Sequence, residues 1–120
     1  STTASAATYS GACGDNVTWI YDSSTYTLTI SGTGSMYDYE SDNRPWESYE
    51  DGIKIVVIGN GVTTIGYCAF YYCTSLESVT IGDSVTTIGN DAFYNCDSLT
   101  SVTIGNSVTS IGYDAFIFRA

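Results

Sequence analysis

Apolar residues recur at a fixed spacing through most of the chain. The stretch 73–95, CTSLESVTIGDSVTTIGNDAFYN, is followed at once by a near copy at 96–118, and the same pattern extends backwards. Ile53, Val56, Ile58, Val62, Ile65, Ala69, Phe70 and Cys73 align with Leu76, Val79, Ile81, Val85, Ile88, Ala92, Phe93 and Cys96, 23 positions on. Leu99, Val102, Ile104, Val108, Ile111, Ala115 and Phe116 supply the third copy. A repeat of this length cannot bury its own apolar side, whereas stacked copies can, so the pattern predicts successive coils of a solenoid. Within a coil, Leu76, Val79 and Ile81 face inward from a short strand. Gly82, Asp83 and Ser84 turn the chain, and a second short side runs from Val85 to Ile88. Asp91, Ala92 and Phe93 then begin a turn of helix that leads to the next Cys. Stacked coils form parallel ladders with strands ~4.8 Å apart, so corresponding residues stand in columns.

Ahead of the repeats the period changes to two. In 17–30, VTWIYDSSTYTLTI, the residues Val17, Trp19 and Tyr21 alternate with Thr18 and Ile20, and Tyr26, Leu28 and Ile30 alternate with Thr27 and Thr29. This reads as a β-hairpin turning at 22–25 and serving as a lid on the first coil. The segment 31–52 opens with glycines and then gathers acidic and aromatic residues around Pro45, which is placed to open a short helix with Trp46 and Tyr49 on one face. Trp46 is expected to seal the lid to the first coil. Ile55 and Val57 stand where later copies carry Ser78, Thr80, Ser101 and Thr103, so something apolar should cover them. The expected organisation is a flexible segment 1–10, a capping hairpin and loop 11–52, and a three-repeat array 53–120.

Composition narrows the partners. Three Lys plus Arg against 13 Asp plus Glu leave a net charge of -10, which repels phosphate backbones and makes nucleic acid an unsuitable partner. The longest apolar run, 53–58, is interrupted by Lys54, so no stretch approaches the ~20 residues of a membrane span. The uncharged opening STTASAATYS resembles what remains after signal-peptide cleavage, which points to a secreted protein. Of the four cysteines, Cys73 and Cys96 occupy one column and should lie parallel in the core, unpaired, because stacked parallel side chains present poor geometry for a bridge. Cys13 and Cys68 fall off the repeat, and the pattern does not assign them. With no His in the chain there is no Ser-His or Cys-His pair, so the residues argue against an enzyme. The repeat acids Asp83, Asp91, Asp97 and Asp114 sit at turn positions. Asp38, Glu40 and Asp42 space like the first ligands of a calcium loop. However, Asn43 stands where that loop needs glycine and Tyr49 where it needs its closing Glu, so no metal site is expected. The match of Asn16, Val17 and Thr18 to a glycosylation sequon is common by chance.

At these positions the repeats resemble the BspA-like class of leucine-rich repeat, whose pattern is close to L-x-x-V-x-I-x-x-x-V-T-x-I-G-x-x-A-F-x-x-C; the resemblance covers 53–118 as three copies. Gly14 to Trp19 (GDNVTW), Leu28 to Gly34 (LTISGTG) and the pair Pro45-Trp46 are similar to the leader that precedes such repeats in surface proteins of anaerobic gut bacteria. The resemblance implies a mainly β fold with short helical turns, a leucine-rich-repeat solenoid of stacked parallel strands with an N-terminal β-hairpin cap. It also implies a non-catalytic secreted or cell-surface module for interaction or adhesion, without cofactor, whose partner is a protein or a glycan.

Two surfaces are candidates. Among 11 tyrosines, Tyr71 stands above Tyr94 with Tyr72 beside them, and Tyr67 is in register with Tyr113; a flat apolar face with a polar tip suits sugar rings and protein hot spots alike. These five are the expected binding residues, and the carbohydrate-binding alternative rests on their columns. The column Thr63, Thr86, Thr109 offers ice too little area. The second surface is the last coil, where Val102, Ile104, Val108, Ile111, Ile117 and Phe118 form an apolar edge with only Arg119 to blunt it, so head-to-tail self-association into a filament is the structural alternative.

Overall fold

The period-2 alternation of 17–30 forms the pairing it implies. The computed structural model describes residues 7–117. Strands β1 (Thr8–Ala12), β2 (Val17–Asp22) and β3 (Thr27–Gly32) make an antiparallel meander. Val17, Trp19 and Tyr21 of β2 and Leu28 and Ile30 of β3 are buried on one face. Thr8 to Ser10, expected to belong to a flexible segment, are part of β1. Every residue of β1 is exposed, so backbone pairing to β2 rather than side-chain burial defines it.

From β3 onward the pairing is parallel and follows the repeat. The strands β5 (Ile55–Ile58), β7 (Ser78–Ile81) and β9 (Ser101–Ile104) continue the first sheet in the order β1-β2-β3-β5-β7-β9. A second sheet has the order β4-β6-β8-β10, built from β4 (Gly34–Ser35), β6 (Val62–Ile65), β8 (Thr87–Ile88) and β10 (Ser110–Ile111). Register is kept throughout the repeats: Val56 pairs with Val79 and Val79 with Val102, and Ile58, Ile81 and Ile104 form the next row. A slip of one residue would turn these side chains to the other face, so the burial of Val56, Ile58, Val79 and Ile81 fixes the register of β5 and β7.

The third side of each repeat differs from expectation. Instead of a turn of helix it is a string of tight turns: Ala69, Tyr71 and Cys73 N–H groups donate to carbonyls three residues back, while those of Cys68, Phe70 and Tyr72 donate to the carbonyls of Asn90, Ala92 and Tyr94 in the next repeat. Left-handed backbone at Cys68, Asp91 and Asp114, and again at Tyr72 and Asn95, produces this alternation and prevents a helix. The turn acids Asp91 and Asp114 therefore supply a tolerated left-handed conformation. The only helix among the described residues is the 3-10 turn Glu47–Gly52, just after Pro45.

Aromatic rings run down the core. Trp46, Phe70, Phe93 and Phe116 stack face to face at centroid separations of 5.4, 5.1 and 5.1 Å. Trp46 is the first rung. It is fully buried, donates its indole N–H to the Ala69 carbonyl at 2.8 Å, and meets Trp19 and Tyr39 edge-on. It seals the first repeat from inside and does not reach the outer face: Ile55 remains exposed and Val57 half-buried, contrary to the expected apolar cover. All four cysteines are free; Cys73 and Cys96 are buried as expected, Cys13 is buried under the hairpin, and Cys68 is half-buried.

Candidate interaction surfaces

Tyr71 and Tyr94 lie at the end of the string of turns, one repeat apart, where the parallel stacking places like residues face to face. Their rings stack at 5.1 Å with 13° between planes. Tyr72 meets Tyr71 edge-on at 4.7 Å and Tyr94 tilted at 5.7 Å. It projects because its left-handed backbone turns it out of the core, and its ring is 37% exposed, while Tyr71 and Tyr94 are half-buried. Partial burial raises the Tyr71 phenol above its ordinary range, so it stays neutral and keeps its donor.

The sequence did not indicate the neighbour of this group. The Arg44 guanidinium lies 5.8 Å from the Tyr71 ring centroid, buried and held by Glu50 at 2.6 Å, by Glu47 at 3.4 Å and by the Ser41 carbonyl at 2.7 Å. Its charge is spent on those carboxylates, and its planar face supports the ring. The result is an aromatic patch with no charge on its own rings, bordered by Glu47, Glu50 and Asp91.

Tyr67 and Tyr113 are not part of that group. Each begins its string of turns, four residues before the position of Tyr71 or of its equivalent in the third copy, and among the described residues neither shares a ring contact with Tyr71, Tyr72 or Tyr94. The Tyr67 N–H donates to Asp38 Oδ1 at 3.0 Å and the Tyr113 N–H to Asn90 Oδ1 at 2.8 Å. Both rings face solvent, at 49% and 83% exposure. The Thr86 and Thr109 hydroxyls donate to the Thr63 and Thr86 carbonyls, which spends that column on the backbone.

At the other surface, Val102, Ile104, Ile111 and Ile117 are exposed, and Val108 is half-buried against the core. Phe118 and Arg119 lie outside the described residues. The chemistry of reactive groups is subdued. Burial pushes the Cys13 and Cys96 thiols up to about 12 and raises Cys73 as well, the opposite of an activated nucleophile. Among the described residues no group of three or more Cys, Asp or Glu is placed to hold a metal, and no helix is long and apolar enough to cross a membrane.

Comparison with known proteins follows the repeat. The family model described as "BspA type Leucine rich repeat region" matches residues 48–119 in six copies. A leucine-rich repeat protein from Eubacterium ventriosum is similar in structure at a TM-score of 0.83 and 34% identity, over 88% of this chain and 28% of that one. A leucine rich cell surface protein from Faecalibacterium prausnitzii is similar at a TM-score of 0.58 and 29% identity, over 96% of this chain and 34% of that one. The chain thus spans about a third or less of the length of these solved relatives. No curated protein matches the sequence.

Proposed function

Because the chain belongs to the BspA-type leucine-rich repeat family, we propose that it is a non-catalytic interaction module of a secreted or cell-surface bacterial protein, binding a protein or a glycan through its outward tyrosines. The family is generally non-catalytic, often surface-associated and engaged in protein interaction. In this reading 53–120 is a solenoid of three repeats and 11–52 is its N-terminal cap, both sharing one continuous sheet. The observation that carries it is the patch of Tyr71, Tyr72 and Tyr94. Three rings held by mutual contact present apolar area at little entropic cost, with hydroxyl tips for orientation and no charge on the rings themselves.

Tyr72→Ala combined with Tyr94→Ala is expected to weaken binding by at least ~10-fold to whichever partner an array of glycans and surface proteins identifies, with the thermal midpoint lowered by only a few degrees. Unchanged affinity in the folded double variant overturns the assignment. A second reading, head-to-tail self-association into filaments, is favoured by the exposure of the whole of β9, whose Val102 and Ile104 stand in register with buried Val79 and Ile81. That face is what a further repeat, or a second copy, would cover. Light scattering that rises with the concentration of the chain alone, and is abolished by Val102→Lys, identifies this reading.

A further inference from the structure

The second sheet carries a furrow that is lined by Tyr67 and lies apart from the patch of Tyr71, Tyr72 and Tyr94. Gly66 and Gly89 stand where successive repeats approach most closely. A Cβ on Gly66 would be driven into the Tyr37 carbonyl oxygen, and one on Gly89 would come within 2.8 Å of both the Tyr67 ring and its backbone nitrogen. A side chain is therefore forbidden at this corner in successive repeats, because the neighbouring backbone already fills the space. Beside this corner, two adjoining depressions of about 310 and 280 Å³ form the furrow, sharing Ser35 and Met36.

Its walls have a regular chemistry. The lining includes the hydroxyl residues Ser35, Thr64 and Thr87, paired rung to rung in a row that Ser110 continues. Asp38 and Tyr67 line the furrow as well, with the buried residues Met36, Ile65 and Gly89. Toward the hairpin the trench passes the Tyr37 phenol, which donates to Asp15 Oδ1 at 3.0 Å. Tyr113, two repeats beyond Tyr67, places another exposed ring about 10 Å further along, at ~4.8 Å per repeat.

We infer that this furrow binds a single strand of neutral, β-linked glycan laid along the stack. Sugar rings present apolar C–H faces and a rim of hydroxyls. The furrow offers ring faces for the first, and hydroxyls and a carboxylate for the second. The rung spacing is close to the advance per residue of an extended β-linked chain, so the hydroxyl row repeats for each sugar, while the ring column Tyr67, Asn90, Tyr113 offers a ring at every second rung. Charge selects among glycans: Asp15 and Asp38 line the trench and the chain carries -10 overall, which disfavours uronic, sialylated or sulfated strands. Over β6 and β8 an extended peptide is a poorer occupant, because there the trench presents a sheet face whose backbone groups are engaged in parallel pairing; the edge it meets, β4, is two residues long. The furrow does not use Tyr71, Tyr72 or Tyr94, so this inference and the proposed function fail separately.

The test is calorimetric titration of the folded chain with neutral β-1,4-linked gluco-, xylo- and manno-hexaoses, with hexagalacturonate as the anionic probe. NMR shift mapping locates the site. Binding of at least one neutral hexaose is expected, with shifts at Thr64, Tyr67 and Thr87 and little response to hexagalacturonate. Tyr67→Ala should weaken it by about 10-fold or more, while the isosteric Thr87→Val should weaken it several-fold with the fold unchanged. Tyr72→Ala should leave it intact. Failure of all three neutral hexaoses to bind, shifts centred on Tyr72 and Tyr94, or preference for hexagalacturonate would each overturn the inference.

Discussion

Trp46→Ala is expected to lower the stability of the chain by about 4 kcal/mol, a fall of roughly 15 °C in Tm and a larger loss than truncation of any other single core side chain should cause. Trp46 is fully buried and begins the ring ladder at 5.4 Å from Phe70; Trp19 and Tyr39 close on its edges. Truncation opens a cavity where the hairpin and the first repeat join, and the rigid sheet on either side limits how far it can collapse. The indole N–H bond to Ala69 is lost as well. Trp46→Phe separates the two contributions: it keeps a stacked ring and loses the hydrogen bond, so a cost of about 1 to 2 kcal/mol is expected. Equal losses for the two variants in urea unfolding would show that the ladder contributes little.

Gly66→Ala comes next, at about 3 kcal/mol, for a different reason. Gly66 does not have a left-handed backbone, so alanine meets no conformational penalty there, and the whole effect is the collision of its Cβ with the Tyr37 carbonyl. That carbonyl belongs to the hairpin side of the junction, so relief requires two stacked segments to move apart. Gly59→Ala is the control. Its Cβ would lie 3.2 Å from the Ile30 carbonyl, a contact a small shift can relieve, so a loss below about 1 kcal/mol is expected. Denaturant unfolding checks both, with m unchanged. Comparable costs at the two positions would contradict the close approach at Gly66.

The repeat was legible because stacking demands the same residue type in each column: Val56, Val79 and Val102 must match for the same reason that they pair. The hairpin was legible from alternation. Strand β1 was not, since TYSGA buries nothing and its backbone pairing leaves no trace in side-chain pattern. The third side was misread as helical because DAF looks like a helix start. The available signal was Asp91 and Asn95, both tolerant of left-handed backbone, in the columns where Cys68 and Tyr72 adopt the same conformation without showing it in their identity. The stacked tyrosine pair followed from the period, and the exposure of Tyr72 from its backbone. Arg44 beneath Tyr71 could not be read, because it arrives from a loop outside the repeat. The furrow was half visible: the Ile-Gly pair and the hydroxyl residues stand in the sequence, but that Ser35 and Met36 from the loop join Thr64, Tyr67 and Thr87 follows only once the repeats are stacked.

Both candidate surfaces exist only if residues 23 apart are neighbours on adjacent parallel strands, so the most direct measurement is the pattern of methyl contacts in solution. On isotope-labelled protein, NOEs are expected along Val56, Val79 and Val102 and along Ile58, Ile81 and Ile104, with the ring protons of Tyr71 and Tyr94 also in contact. Contacts shifted by one or two residues, an antiparallel pattern between β5 and β7, or the absence of Tyr71 to Tyr94 contacts would contradict in-register stacking, and with it both binding surfaces.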